Sequence, residues 1–173
     1  MNLVIDANIF KGFYQEYVLD LPEHDTSLTG STLKLFDANN KIIYMDEGTQ
    51  IENEWRRVVC PEWFDAWLIG ELEAGHVVNI TIKNQELILN ALKKQGFPSS
   101  GDKWYIRTAV TLKEEQGEVN FITEDIDFYD PTKKSLKNTK RVCIMKSKSS
   151  TIRKYLSKNT GLTVMPVCEF NDL

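Results

Sequence analysis

Apolar residues along this chain fall into short runs and longer stripes, and the two alternate. Leu3-Val4-Ile5-Asp6 reads as a short buried strand that ends in a carboxylate. Residues 8–19 then carry helical spacing, with Ile9, Phe13 and Tyr17 on one side and Phe10, Tyr14 and Val18 beside it. Residues 21–30 form a polar loop broken by Pro22, and 32–38 a second short helix. Lys41 to Met45 is the next strand, closed by Asp46-Glu47-Gly48. Residues 49–59 place Ile51, Trp55, Val58 and Val59 on one helical stripe. Pro61 suits the first turn of a fresh helix, which carries Trp63, Phe64, Trp67 and Leu68 as core residues.

Further on, Val77 to Ile82 is a short strand or an extended connection, and a helix over about 85–95 stops at Gly96. Residues 97–101 form a loop, 102–115 a helix stopped by Gly117, and 119–123 a strand. Arg141 to Met145 reads as another strand, 150–158 as a basic helix and 162–167 as the last strand. Strands alternating with helices predict a single α/β domain over 1–173, a three-layer α/β/α sandwich around a mostly parallel sheet. In such open sheets the functional crevice lies outside the carboxyl ends of the strands. The strands at 3–6 and 119–123 both run into aspartates.

Composition narrows the chemistry. The hydrophobic fraction is 42%, enough for one core. The opening apolar run is too short for a secretory signal and lacks its basic flank. No stretch approaches the roughly 18 apolar residues of a membrane span. A cytoplasmic protein with no membrane partner is expected. Cys60, Cys143 and Cys168 form no Cys-x-x-Cys pair, and His24 and His76 are the only histidines, so any metal must sit on oxygen.

Charge adds a second signal. The net charge is −4, yet residues 131–160 hold ten of the 21 basic residues and no acidic one. The rest of the chain sets the other 11 basic residues against all 25 acidic ones, a balance of −14. Such asymmetry fits either an electrostatic binding face or a solvated lysine-rich surface.

The carboxylates each carry two readings. Asp6 closes an apolar run, where it either caps the following helix or serves a site. Asp102 opens a helix, either as its cap or pointing into the crevice. Asp125 and Asp127, beside Glu124 and Asp130, make a patch whose mutual repulsion calls for a cation. On the helix at 49–59, Glu52 has Arg56 at i+4 as a surface ion-pair partner, while Glu54 lies along the margin of the buried stripe and is the better site candidate.

The segments VIDANIF, IENEWRRV, GDKWYIRTA and FITEDIDFYD, in this order, resemble the signature of PIN-domain nucleases over about residues 1–130, and the closing LTVMPVCEF resembles that family's last strand. The resemblance implies a PIN-like sandwich and an acidic quartet of Asp6, Glu54, Asp102 and Asp125, with Asp127 as a fifth or substitute ligand and Asn8 and Thr123 as supporting polar residues. It implies Mg²⁺ or Mn²⁺, one ion or two, activating water for phosphodiester hydrolysis. RNA, single-stranded or structured, is favoured over DNA by the same resemblance. Arg56, Arg57, Lys133, Lys134 and Lys137 are the expected phosphate contacts. A restraining or assembly protein partner, as in toxin–antitoxin or defence systems, and self-association are further implications. The sequence departs from the family pattern in the Trp and two arginines after Glu54 and in the long insertion before Asp102. Two rival readings remain. One is a PIN-like scaffold that binds RNA or protein without cutting. The other is a haloacid-dehalogenase-like phosphatase, whose Asp-x-Asp pair normally closes the first strand, where this chain has Asp6-Ala7-Asn8.

Overall fold

A computed structural model describes residues 1–37, 39–99 and 102–173. Five parallel strands form one sheet in the order β3-β2-β1-β4-β5: β1 (Asn2–Ile5), β2 (Ile42–Asp46), β3 (Val77–Ile80), β4 (Val119–Ile122) and β5 (Thr163–Met165). Helices cover both faces, giving the three-layer α/β/α sandwich that the alternating pattern predicts. β1 lies at the centre, and Leu3, Val4 and Ile5 are wholly buried, which is why the run is continuous rather than alternating.

The chain lays down β1, β2 and β3 in one direction and then returns to place β4 on the other side of β1. This reversal makes the β1/β4 boundary the switch point, where loops diverge and leave a crevice. The register pairs Ile5 with Ile122, and the Asp6 amide continues it by donating to the Ile122 carbonyl at 3.0 Å. Asp6 and the segment after β4 therefore emerge side by side.

Between these strands run α1 (Ala7–Tyr17), α2 (Glu23–Thr26), α3 (Leu33–Phe36), α4 (Gln50–Val58), α5 (Pro61–Glu73), α6 (Glu86–Lys93) and α7 (Lys103–Gln116). α1 and α4 are locked together by Phe10 and Trp55, whose rings stack with centroids 4.1 Å apart. The Trp55 indole also donates to the Ile5 carbonyl at 3.2 Å, fixing α4 to the end of β1. α4 itself is capped by Asp46, a buried carboxylate at the end of β2 that accepts from the amides of Gln50 (3.0 Å) and Ile51 (2.8 Å). Thr49 takes a left-handed φ of 61° to allow that turn.

Beyond two single 3-10 turns at Ile126–Phe128 and Pro131–Lys133, the remaining elements are α8 (Asn138–Lys146), α9 (Thr151–Thr160) and α10 (Val167–Asn171). Residues 141–145, read as a strand from the sequence, lie inside α8. The four-residue apolar run after Arg141 does not distinguish strand from helix, and the sheet position beside β4 is taken by β5. The polar loop at 21–30 contains the short α2. Residues 77–80 form a true strand, whereas 162–167 pairs only as far as Met165 before Pro166 opens α10. Position 38 of the expected 32–38 helix, and positions 100 and 101 of the expected loop, lie outside the described residues. Among the described residues, no helix is long and apolar enough to cross a membrane.

Candidate active site

Asp6 is the first residue after β1 and the N-cap of α1. Its carboxylate is 5% exposed and accepts from the Thr123 hydroxyl at 2.7 Å and from the Asn8 amide at 3.4 Å. The capping reading holds through that long bond to Oδ1, while Oδ2 is taken by the Thr123 hydroxyl. Burial, then repulsion from Asp125 and Asp102, pushes the Asp6 carboxyl up to about 7 against the pull of its hydrogen bonds.

Thr123 is fully buried just beyond β4. Besides donating to Asp6, its hydroxyl accepts from the Asp125 amide at 3.0 Å, and its carbonyl accepts from the Tyr129 hydroxyl at 2.9 Å. One side chain thus ties the ends of β1 and β4 together. Asp125 in turn accepts from the Asp127 amide at 2.9 Å. Asn8 contributes its backbone to Asp6, while its side chain is exposed.

Asp102 precedes α7 but makes no side-chain cap bond, so its carboxylate is not consumed by the helix. Burial raises it to about 6, followed by repulsion from Asp125, Asp127 and Glu54, while Lys134 opposes the rise. Glu54 on α4 adds to that repulsion, whereas Glu52 pairs with Arg56 at 2.7 Å. Tyr105 was not singled out in the sequence. Its hydroxyl accepts from the Ala7 amide at 3.1 Å. Burial first, then the charges of Asp6 and Glu54, lift its pKa well above the usual tyrosine range. Its i+3 spacing from Asp102 was the available signal.

The acidic patch after β4 divides by role. Glu124 accepts from the Ser27 hydroxyl (3.0 Å) and the Leu28 amide (2.6 Å), latching loop 27–29. That loop can approach α1 because Gly12 has no Cβ, which would come within 2.5 Å of the Thr26 carbonyl oxygen. Asp130 caps its own turn by accepting from the Thr132 amide at 3.1 Å. Asp127 is 2% exposed and raised by burial, with one oxygen paired to Lys134 Nζ at 2.5 Å and its Oδ1 buried without a hydrogen-bond partner.

Of the expected phosphate contacts, Arg56 is bound to Glu52 and Asp65 and lies 5.2 Å over the Phe64 ring. Lys134 is bound to Asp127. Arg57, Lys133 and Lys137 are exposed. Within the basic segment, Arg153 is buried and pairs with Glu169 at 2.5 Å, so it is a structural cation. The three cysteines are free.

An all-oxygen donor set, mutual repulsion among Asp6, Asp102, Asp125 and Asp127, and the orphaned Asp127 Oδ1 fit a hard divalent cation in their chemistry. They do not form a closed shell: among the described residues, no three His, Cys, Asp or Glu side chains are gathered as a ligand set. No protein-family model, curated protein or solved structure matches the chain.

Proposed function

We propose that the chain is a Mg²⁺- or Mn²⁺-dependent nuclease of the PIN type that hydrolyses phosphodiester bonds, with single-stranded or structured RNA as its substrate. The reading rests on one observation above the others. Asp6 and Asp102, 96 positions apart in the chain, are both raised in pKa by burial and then by repulsion from Asp125 at the sheet's switch point. Carboxylates that repel each other in a crevice are stabilised by a cation.

A divalent ion bound there supplies Lewis acidity toward a phosphoryl group and offsets charge developing on it. The protein's own groups do the positioning. Thr123 orients Asp6 and Asp125 together, and Trp55 carries Glu54 toward Asp102. Tyr105 holds the first turn of α1 through the Ala7 amide. Exposed Lys133, Lys137 and Arg57 attract the polyanion that the carboxylates alone would repel. The proposal places the protein in the cytoplasm, as expected from the sequence, and the family resemblance adds a restraining or assembly partner or self-association as its biological setting.

The test is incubation of the protein with labelled RNA and single-stranded DNA, in Mg²⁺ or Mn²⁺ and in EDTA, beside Asp6→Asn and Asp125→Asn. Metal-dependent cleavage lost in both variants is expected. Cleavage that survives chelation or both substitutions would reject the reading. A non-catalytic PIN-like scaffold is the second reading, favoured by the Lys134–Asp127 pair and the lack of a gathered ligand set. It predicts unchanged RNA or protein binding in EDTA and in Asp6→Asn, with no cleavage.

A further inference from the structure

Around the corner of α7 from Asp102 lies a pocket of about 270 Å³ between α6 and α7. Its apolar wall is made by Leu89, Phe97 and Pro98, and its rim carries Lys93, Lys103 and Arg107. None of these three cations forms an ion pair among the described residues. Arg107 is held in place by the Asn84 carbonyl (2.9 Å) and side-chain oxygen (2.6 Å), bonds that orient the guanidinium without neutralising it. Trp104 gathers two of the charges, with Lys103 Nζ 5.0 Å and the Arg107 guanidinium 4.8 Å from its ring centroid. The one acidic residue on the rim, Glu86, accepts from Asn84 Nδ2 at 2.8 Å.

The pocket adjoins the carboxylate site at two points. Lys103 follows Asp102 directly, and the Phe97 ring packs edge-on against Phe128, with centroids 5.3 Å apart, next to Asp127. The volume is below the ~300 Å³ at which pockets for drug-sized ligands begin, so it suits one ring system. A flat ring over Pro98, above a floor of the buried Leu89 and Phe97, with an anionic group on the rim is the chemistry of a nucleotide.

We propose that this pocket binds one base of a single-stranded nucleic acid, with its phosphate on Lys93, Lys103 and Arg107. It thereby seats the nucleotide beside the one presented to the carboxylates. The proposal deepens the nuclease reading and rests on it for the direction of the strand. The basic segment 131–160 then supplies general attraction, and the α6–α7 pocket supplies placement.

The test is fluorescence anisotropy of a labelled single-stranded pentanucleotide, in RNA and DNA forms, in EDTA so that nothing is cut. The proteins are wild type, Lys93→Glu/Lys103→Glu and, as control, the exposed pair Lys154→Glu/Lys158→Glu, each checked for fold by circular dichroism. Neither the Lys93 nor the Lys103 side chain makes a hydrogen bond among the described residues, and Arg107 with its Asn84 bonds is left intact. The pocket variant should bind about tenfold more weakly, and the control pair no more than about threefold. An abasic strand of equal length should bind wild type at least about fivefold more weakly than the strand with bases. No binding by wild type, equal losses in the two variants, or equal affinity for the abasic strand overturns the pocket. Binding through the pocket without cleavage in metal removes the nuclease reading alone. Cleavage with binding indifferent to Lys93 and Lys103 removes the pocket alone.

Discussion

The Thr123 hydroxyl donates to Asp6 Oδ2 across 2.7 Å, joining residues 117 positions apart at the junction of two neighbouring strands. The same oxygen accepts from the Asp125 amide. Thr123→Val keeps the shape and removes both bonds. It should lower stability by about 1–3 kcal/mol, since a buried carboxylate and a half-buried amide each lose a partner. Cleavage or metal affinity should fall about 10–100-fold, as for other groups that orient a metal ligand. Urea unfolding and single-turnover cleavage measure the two effects separately. A variant with lost stability and full activity would make Thr123 a purely structural residue.

Lys134 is the counter-ion of Asp127, and on the proposed function a divalent cation at the carboxylates would compete with it. Lys134→Met should bind Mn²⁺ several-fold more tightly than wild type by calorimetry. In EDTA it should be less stable by about 1–2 kcal/mol, discounted because the lysine is half exposed. Weaker Mn²⁺ binding in the variant would show that Lys134 supports the ligands rather than opposing the ion.

The raised carboxyls give stability a defined pH dependence in EDTA. Asp6 at about 7 and Asp102 at about 6 hold protons more tightly folded than unfolded, where both titrate near 3.8. Their contribution is therefore fully present below about pH 4 and is lost as pH rises through 6 to 7. Denaturant midpoints should fall across that window by an amount on the order of a few kcal/mol, and Asp6→Asn should flatten the slope. Mg²⁺ should restore more stability at pH 8 than at pH 5. A midpoint rising from pH 5 to 8 in EDTA would contradict the burial and repulsion described for these groups.

Glu52 and Glu54 separate by function. Glu52→Gln loosens a surface pair with Arg56 and should change stability by less than about 1 kcal/mol, with activity retained. Glu54→Gln should leave stability within a similar margin while lowering the cleavage rate by about tenfold or more. Equal activities for the two variants would remove Glu54 from the site.

The sequence made the centre of the fold legible because a strand buried on both faces must be apolar throughout, as Leu3-Val4-Ile5 is. Asp6 and Asp125 were legible for the same reason, being charges where such runs stop. The misreading of 141–145 has the opposite cause: Val142 and Ile144 are half-buried, and a run that short carries no period. The acidic patch 124–130 could not be divided by role beforehand. Whether Glu124 latches loop 27–29 or Asp127 meets Lys134 depends on segments that return only when the chain is folded. Arg56 shows the same limit, because its second partner, Asp65, comes from the next helix.

Trp55 is wedged between Phe10 and the end of β1, with its nitrogen spent on the Ile5 carbonyl. The span between the first strand's aspartate and the glutamate one residue before this tryptophan is therefore set by a rigid ring system, not by the flexible acids themselves. Precision at the polar end of the molecule is inherited from its oily interior, so repacking the Phe10–Trp55 stack should detune the site even when every carboxylate is left in place.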